Sequence, residues 1–431
     1  MKDSLSVNEL VETSISKLPR EIKLFIAKKI LSKYKEPKIA IETFNKHLDS
    51  LEFNRHKQVI NASGTLLHTN LGRAPVEGSF ANRYSNVEYD LVENKRGERN
   101  QYLNVLMQQL LGAENVAFVN NNASSLFIAL RMFKQKYNIE NVIISRGEII
   151  EIGGSYRLPE IILESDLNLL EVGTTNKTKV KDYENALSKY PKSILLKVHR
   201  SNYSISGFTE ETTIQELVTL KIKYNTFLVH DIGSGLVVED NFLNKYKLNI
   251  FSNEPKVQDS IKSGVDIVMF SGDKLFGSVQ SGVLAGSNTL INDIKYFSLF
   301  RTYRCSDSVL YELESTTEKY VSKNELQIPF WKLISETFET LKSRLENIVE
   351  NINLNFQIVN GESLIGGGTL PNKFVVSPIL EIDGNTELIL NSLIKFEVPI
   401  IPRIQNNKVI IDLRSVFPDE DIHIKNALQS L

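Results

Sequence analysis

An alternation that begins at Asn61 leaves this chain few folds to choose from. From there on, short apolar, β-branched runs trade places with amphipathic stretches. The runs at 116–119, 142–145, 167–172, 194–198, 226–230, 267–270 and 282–285 have the length and composition of buried strands. Between several of them, 124–137, 180–190 and 214–224 carry the apolar period of helices. Strands joined by helices run parallel and are buried on both faces. The expected centre is therefore an α/β layer, a mostly parallel sheet with helices on both sides.

The flanks read differently. Leu18, Ile22, Phe25, Ile26, Ile30 and Leu31 recur at helical spacing, with Lys and Glu between them. Pro37 and the polar 45–49 region punctuate that pattern, and a small helical domain is expected to end near Arg55. After about Leu310, a charged helix is expected at 309–323 and an amphipathic one at 331–351. Shorter strands follow near 356–359, 373–377 and 409–413, as in a small α+β domain. The chain is thus divided into a helical domain at 1–58, a large domain at 59–308 and an α+β domain at 309–431. A length of 431 residues suits two or three domains.

Composition excludes some functions. No stretch approaches the roughly 20 apolar residues of a membrane span. Met1-Lys2-Asp3-Ser4 lacks the layout of a secretory signal, and the single Cys305 allows no internal disulfide. A cytoplasmic location is expected. Net charge is -2, which does not advertise nucleic-acid binding by the whole chain. Residues 1–58, however, hold 12 Lys/Arg against 8 Asp/Glu. That excess fits either a solvated helical surface or contact with an anionic partner.

Three motifs stand at strand ends. Asn120-Asn121-Asn122-Ala123-Ser124-Ser125 follows a strand and opens a helix. Its residues suit an ordinary N-cap, or a cup whose N–H groups hold a phosphate. His230-Asp231-Ile232-Gly233-Ser234-Gly235 ends another strand, at the sheet edge where α/β proteins bind ligands. Asp231 there is either a turn-former before Gly or the carboxylate that keeps a pyridine nitrogen protonated. Ser271-Gly272-Asp273-Lys274 ends a third. A lysine buried at that point is costly unless neutralised or paired, and a Schiff base with a cofactor aldehyde neutralises it. Gly272, Gly277 and Gly282 are expected to leave room for a ring and phosphate. Anion cup, strand-end Asp and later strand-end Lys, in that order, point to pyridoxal 5'-phosphate (PLP) held on Lys274.

Further segments carry a resemblance. They are Ile60-Asn61-Ala62-Ser63-Gly64-Thr65, His68-Thr69-Asn70-Leu71-Gly72-Arg73, Tyr89-Asp90-Leu91 and Arg96-Gly97-Glu98-Arg99. Gly147-Glu148, Ile152-Gly153-Gly154-Ser155-Tyr156-Arg157-Leu158-Pro159 and Glu171-Val172-Gly173-Thr174-Thr175-Asn176 continue the series. Lys197-Val198-His199, Ser201-Asn202-Tyr203, Gly366-Gly367-Gly368-Thr369-Leu370-Pro371 and Ile411-Asp412-Leu413-Arg414 complete it. With the Asp231 and Lys274 motifs, they resemble the bacterial selenocysteine synthase family, the L-seryl-tRNA(Sec) selenium transferases.

That resemblance implies the aminotransferase-like fold of fold-type I PLP enzymes, with a helical N-terminal domain that recognises tRNA. It implies conversion of seryl-tRNA(Sec) to selenocysteinyl-tRNA(Sec), through dehydration to an aminoacrylyl intermediate and addition of selenium from selenophosphate. Lys274 and Asp231 would be catalytic. Asn122, Ala123, Ser124, His199 and Ser234 would join them in binding the cofactor. Arg73, Arg301 and Arg304 would bind selenophosphate through guanidinium forks. At helical spacing Arg301 and Arg304 share a face, unless one pairs with Glu312 or Glu314. Arg96 and Arg99 are structural or interfacial candidates. A homo-oligomer, dimers assembled into a decameric ring, is also implied. Cys305 is expected to be a packed side chain.

The sequence departs from the family pattern in two places. Ser306-Asp307-Ser308-Val309 follows the arginine pair where the family has Asp-Lys-Leu-Thr, and Phe276, Ser278, Val279 and Ser281 interrupt a glycine-rich stretch after Lys274. A related PLP lyase acting on a small phosphorylated amino substrate is the alternative, but it has no need of the helical 1–58 segment. A desulfurase would need a mobile nucleophilic cysteine. A mere tRNA-binding scaffold would not need Lys274 and Asp231.

Overall fold

The computed structural model describes residues 5–53, 58–76, 86–97, 99–153, 156–366 and 369–431. Arg55, Glu98, Gly154-Ser155 and Gly367-Gly368, named above, lie outside them. The chain forms two compact units, Met1–Val59 and Ile60–Leu431.

The first unit is three helices: α1 (Val7–Glu12), α2 (Arg20–Lys33) and α3 (Pro37–Phe53). Ser6 and Glu9 form a capping box at the start of α1. Leu10, Val11, Ile26, Ala27, Ile30, Ala40, Phe44 and Leu48 make its own core. Two expectations need correction here. Pro37 opens α3 rather than breaking a pattern, because the first helical residue has no use for the missing N–H. The 45–49 stretch lies inside α3, where Ala40, Phe44 and Leu48, four apart, carry the buried stripe past the polar residues. Ile22 and Phe25 of α2 are exposed, so the buried stripe of that helix is narrower than the apolar pattern.

The second unit opens with β1 (Ile60–Ala62), followed by a ribbon of β2 (Tyr89–Asp90) and β3 (Lys95–Arg96), then α4 (Gln101–Leu111). Next come β4 (Asn115–Val119), α5 (Asn122–Tyr137), β5 (Asn141–Ser145) and a second ribbon, β6 (Glu151–Ile152) with β7 (Tyr156–Arg157). β8 (Asn168–Val172), β9 (Ser193–Val198), β10 (Leu228–Gly233), β11 (Ile267–Ser271) and β12 (Gly282–Gly286) complete a seven-stranded sheet, in the order β4-β12-β11-β10-β9-β5-β8. β12 alone runs antiparallel to its neighbours. Successive residues face opposite sides: Val116 and Phe118 enter one core, Ala117 and Val119 the other. Helices cover both faces, as the unbroken apolar runs require.

A five-stranded sheet follows, in the order β1-β15-β16-β14-β13. It contains β13 (Phe356–Gly366), β14 (Thr369–Ile382), β15 (Ile400–Gln405) and β16 (Lys408–Asp412). β13 and β14 form one long hairpin, extending well beyond the expected 356–359 and 373–377. β1 pairs with β15, at the far end of the sequence. The helix expected across 331–351 is two helices, Pro329–Ser335 and Phe338–Val349. Thr337 interrupts it by taking an extended backbone and capping the second piece through Thr340 N–H, 3.1 Å away. The helix Asp307–Val321 packs on α4.

Candidate functional site

Lys274, Asn122 and His199 follow strands of the seven-stranded sheet, and Asp231 lies near the carboxyl end of β10, so all four stand at carboxyl ends of strands. β10 is buried through Leu228, Val229, His230 and Asp231. Its pairing with β11 slips between Asp231 and Gly233, which turns the chain at the strand end. Gly233 takes φ +69°, a conformation that suits glycine. A Cβ added there would lie 3.8 Å from Lys274 Nζ, 3.9 Å from Asp231 Oδ1 and 3.7 Å from Ser201 Oγ. Amine and carboxylate thus both border the space beside the bare Cα of Gly233, close enough for each charge to act on the other. The Leu275 N–H donates to Ser234 O at 2.9 Å and ties the two turns together.

The electrostatics follow from burial. Lys274 is held below the ordinary amine range, first by loss of solvent and then by Arg73, with Asp231 opposing. The Asp231 carboxyl is pushed up to about 6 by burial, against the pull of Asn122 and Lys274. Asn122 Nδ2 donates to Asp231 Oδ1 at 2.8 Å. The His199 N–H donates to Asp231 O at 2.9 Å, and its Nε2 lies 3.2 Å from Glu254 Oε1. The Tyr156 hydroxyl is pushed upward by burial and by Asp231, so it joins the same locus.

The first motif contains the N-cap that the sequence allowed. Asn121 caps α5, accepting from Ser124 N–H at 2.9 Å and Ser124 Oγ at 3.0 Å. Asn122 and Ala123 are left in the first turn, where backbone N–H groups have no helical partner. The three glycines behave otherwise than expected. A Cβ on Gly272 would strike Ser281 Oγ, one on Gly277 would come within 2.8 Å of Ile328 Cγ2, and one on Gly282 would strike Ser125 Oγ and Asn121 O. Protein atoms fill the space beside all three, so they allow close packing of the chain around the site rather than entry of a ring.

The three arginines have different surroundings. Arg73 stands beside Lys274, its Nη1 2.6 Å from Asp273 Oδ2, which Ser271 Oγ–H reaches through Oδ1 at 2.7 Å. Arg301 lies in a single helical turn, Phe300–Tyr303, and Arg304 follows it in extended conformation. The shared helical face is therefore replaced by a bend. Arg304 pairs with Glu88 at 3.0 Å, not with Glu312 or Glu314. Glu88 also accepts from Arg96 and Arg99, each at 3.0 Å, and the Arg99 hydrogen bond leads the Arg304 and Arg96 charges in holding its carboxyl below the usual range. Arg301, Arg304 and Arg99 line a cavity of about 640 Å³ bounded by α4 and the edge strand β4. Arg304 bridges to Val119, and Asn120 N–H donates to Tyr303 O at 3.0 Å, which brings this bend next to the start of α5.

Three further residues have protein surroundings of their own. Glu148 is buried and accepts from Lys197 Nζ at 2.5 Å and Val198 N–H at 3.0 Å. Arg157 pairs with Glu151 and Glu160 at the surface. Cys305 is buried and its thiol is pushed up to about 12 by burial, as suits a packed side chain. Glu254 and Glu88 carried no sequence signal, since each sits in a stretch with no strand-end or glycine pattern around it.

The residues fit PLP. Ser234 Oγ, Asn122 Oδ1 and Ser125 Oγ are buried polar atoms without hydrogen-bond partners, a costly state that a polar ligand relieves. An amine, a carboxylate and a helix N-terminus at adjoining strand ends match the aldehyde, ring nitrogen and phosphate of the cofactor.

Comparison with known proteins places this arrangement. Residues 59–417 match the model of the L-seryl-tRNA selenium transferase (SelA) family. The L-seryl-tRNA(Sec) selenium transferase of Alkaliphilus oremlandii is 37% identical, over 97% of this chain and 94% of that protein. That of Aquifex aeolicus is 35% identical, over 99% and 97%. Among solved structures, D-glucosaminate-6-phosphate ammonia-lyase superimposes with a TM-score of 0.58 at 18% identity, covering 87% of this chain and 95% of that one, a likeness of fold. The chain belongs to the L-seryl-tRNA(Sec) selenium transferase family.

Proposed function

We infer that this protein converts seryl-tRNA(Sec) to selenocysteinyl-tRNA(Sec), taking selenium from selenophosphate, with PLP as its cofactor. The observation that carries the residue roles is that Lys274 and Asp231, both buried, border the same space beside Gly233. Bound PLP supplies an aldehyde that takes up the seryl amine and a ring that draws electrons from Cα.

The chain's own residues do the rest. Lys274 would hold the cofactor through its aldehyde. The Lys274 amine, held below the ordinary range by burial and Arg73, would also take the proton from the substrate Cα. Asp231 would hold the ring nitrogen, and a protonated nitrogen there would give this buried carboxylate the partner it needs. Asn122 holds Asp231 in place through Nδ2. The first-turn N–H groups of Asn122 and Ala123, with the Ser124 hydroxyl, receive the phosphate. Ser234 offers a buried hydroxyl, and His199 stands against Asp231. Arg73, Arg301 and Arg304 receive selenophosphate, Arg73 beside Lys274 and the other two from the cavity beyond Asn120.

The helical unit at 1–58 is assigned to tRNA, supported by its excess of basic residues. We assign the protein to the cytoplasm, where its tRNA substrate is made; among the described residues no helix is long and apolar enough to cross a membrane. We also propose a homo-oligomer of dimers, a decameric ring in keeping with the family. Exposed Tyr89, Leu91, Val92, Tyr102, Val105 and Tyr311 support self-association, since so much apolar surface seldom stays bare. A lyase acting on a small phosphorylated amino substrate shares the fold, but the family match over 59–417 favours the tRNA reading.

The test is conversion of seryl-tRNA(Sec) with selenophosphate, read as selenocysteinyl-tRNA(Sec). Wild-type protein should carry the absorbance of covalently held PLP, and Lys274→Ala should lose both absorbance and product. An unchanged band in Lys274→Ala refutes the lysine assignment, and absence of product with wild type refutes the reaction.

A further inference from the structure

Glu254 is a buried carboxylate that the reaction as described leaves unused. It follows a single turn, Asn249–Phe251, on the crossover between β10 and β11. Its N–H donates to Phe251 O at 3.0 Å, and Phe251 packs edge-on against buried Trp331. The backbone is therefore anchored, and the side chain is only 3% exposed.

Among the described residues, no Lys or Arg comes within ion-pair distance of it; His199 does, with Nε2 3.2 Å from Oε1. That contact is not yet a well-aligned hydrogen bond, and Oε1 remains without a hydrogen-bond partner. Burying a carboxylate this way is expensive, so such a group persists where a neighbour or ligand completes it.

Its surroundings are those of the site. The charge of Glu254 acts on Lys274, and that of His199 acts on Asp231. The His199 backbone is fixed as well, its N–H donating to Asp231 O at 2.9 Å. One end of His199 is thus tied to Asp231, and its ring reaches toward Glu254. A histidine whose Nε2–H is held by a carboxylate has its tautomer and ring plane fixed, with Nδ1 left as the free nitrogen.

We propose that Glu254 is a positioning residue, whose buried carboxylate accepts from His199 Nε2 and sets the imidazole against the Asp231–Lys274 locus where the cofactor ring binds. The proposal rests on the assignment of PLP to Lys274. It explains why a carboxylate with no cation of its own is kept inside the crossover. It also gives His199 a defined orientation, which a histidine at a loop start would otherwise lack.

A double-mutant cycle on the full-length protein tests it, with the affinity for PLP measured by fluorescence titration. Glu254→Leu and His199→Ala should each weaken binding about tenfold, the scale of one charge-assisted hydrogen bond. The double variant should bind no worse than His199→Ala alone, because the carboxylate acts through the ring. Glu254→Gln, which keeps an acceptor for Nε2, should stay within about threefold of wild type. Additive losses, wild-type affinity in Glu254→Leu, or equal losses in the Leu and Gln variants would each overturn the proposal. If Glu254→Leu does not fold, Glu254→Ala takes its place in the same cycle. Covalently held cofactor in Lys274→Ala would instead refute the assignment on which the proposal stands, whatever the Glu254 variants do.

Discussion

Asp231 pays no attention to its ordinary carboxylate range, because the strand that carries it is sealed on both faces. Its carboxyl rises from 3.8 to about 6, with burial the largest cause. The folded chain therefore holds a proton there more tightly than the unfolded chain does. Between these two values, each unit of rising pH costs the folded state about 1.4 kcal/mol. The penalty is absent below about pH 4 and complete above about pH 6, on the order of 3 kcal/mol in cofactor-free protein. Asp231→Asn should thus stabilise that protein at pH 8 by up to this amount, and by about half as much at pH 5. Urea unfolding at the two pH values checks it, and an equal gain at both refutes the electrostatic account. The same variant should lose cofactor affinity. Asp231 and Lys274 were legible in the sequence because a charged residue at or just past the end of a mostly apolar strand has few ordinary places to go. Glu254, in Ser252-Asn253-Glu254-Pro255, looks like any turn residue, and only the fold brings it to His199.

At the scale of elements, close packing around the site replaces the open room that its glycines suggested. Gly282 begins β12, which lies beside β4, and it faces the residues that cap α5. A methyl group there would strike Asn121 O and Ser125 Oγ, and the backbone oxygen cannot swing aside as a side chain can. Gly282→Ala should therefore displace the start of α5. We expect a weaker phosphate grip, with PLP affinity down about tenfold or more, and a lower melting temperature, with a loss of about 1–3 kcal/mol. Titration with PLP and thermal unfolding check this; wild-type affinity would mean that the helix start tolerates the shift. Strand and helix identities around the site were readable from their periods, whereas the meaning of these glycines was not. Spacing along the chain does not say whether a glycine faces a ligand or another strand. Pairing at long range was hidden for the same reason. Ile60–Ala62 is too short to read as a strand until it meets Ile400–Pro402. The break at Thr337 was also masked, because the apolar period continues on both sides of it.

For the whole molecule, the separate cores decide what can be removed. Among the described residues, Leu10, Ile26, Phe44 and their neighbours form a cluster drawn from the first unit, and the clusters of the two sheets are drawn from the second. A chain that starts at Val59 keeps β1 and every strand of both sheets. It should fold, bind PLP as the full-length protein does and show the same band in the absorbance spectrum. It gives up the segment with 12 Lys/Arg against 8 Asp/Glu, so what remains is more acidic than the whole. Binding to tRNA(Sec) should fall by about tenfold or more and lose part of its salt dependence, because fewer counterions are released from the RNA. Filter binding at two salt concentrations, beside a cofactor titration, separates the outcomes. Loss of cofactor along with tRNA would mean that the first unit is needed for folding of the second. Undiminished tRNA affinity would place the RNA contacts on the sheet-bearing unit, and the basic helices would then be a solvated surface.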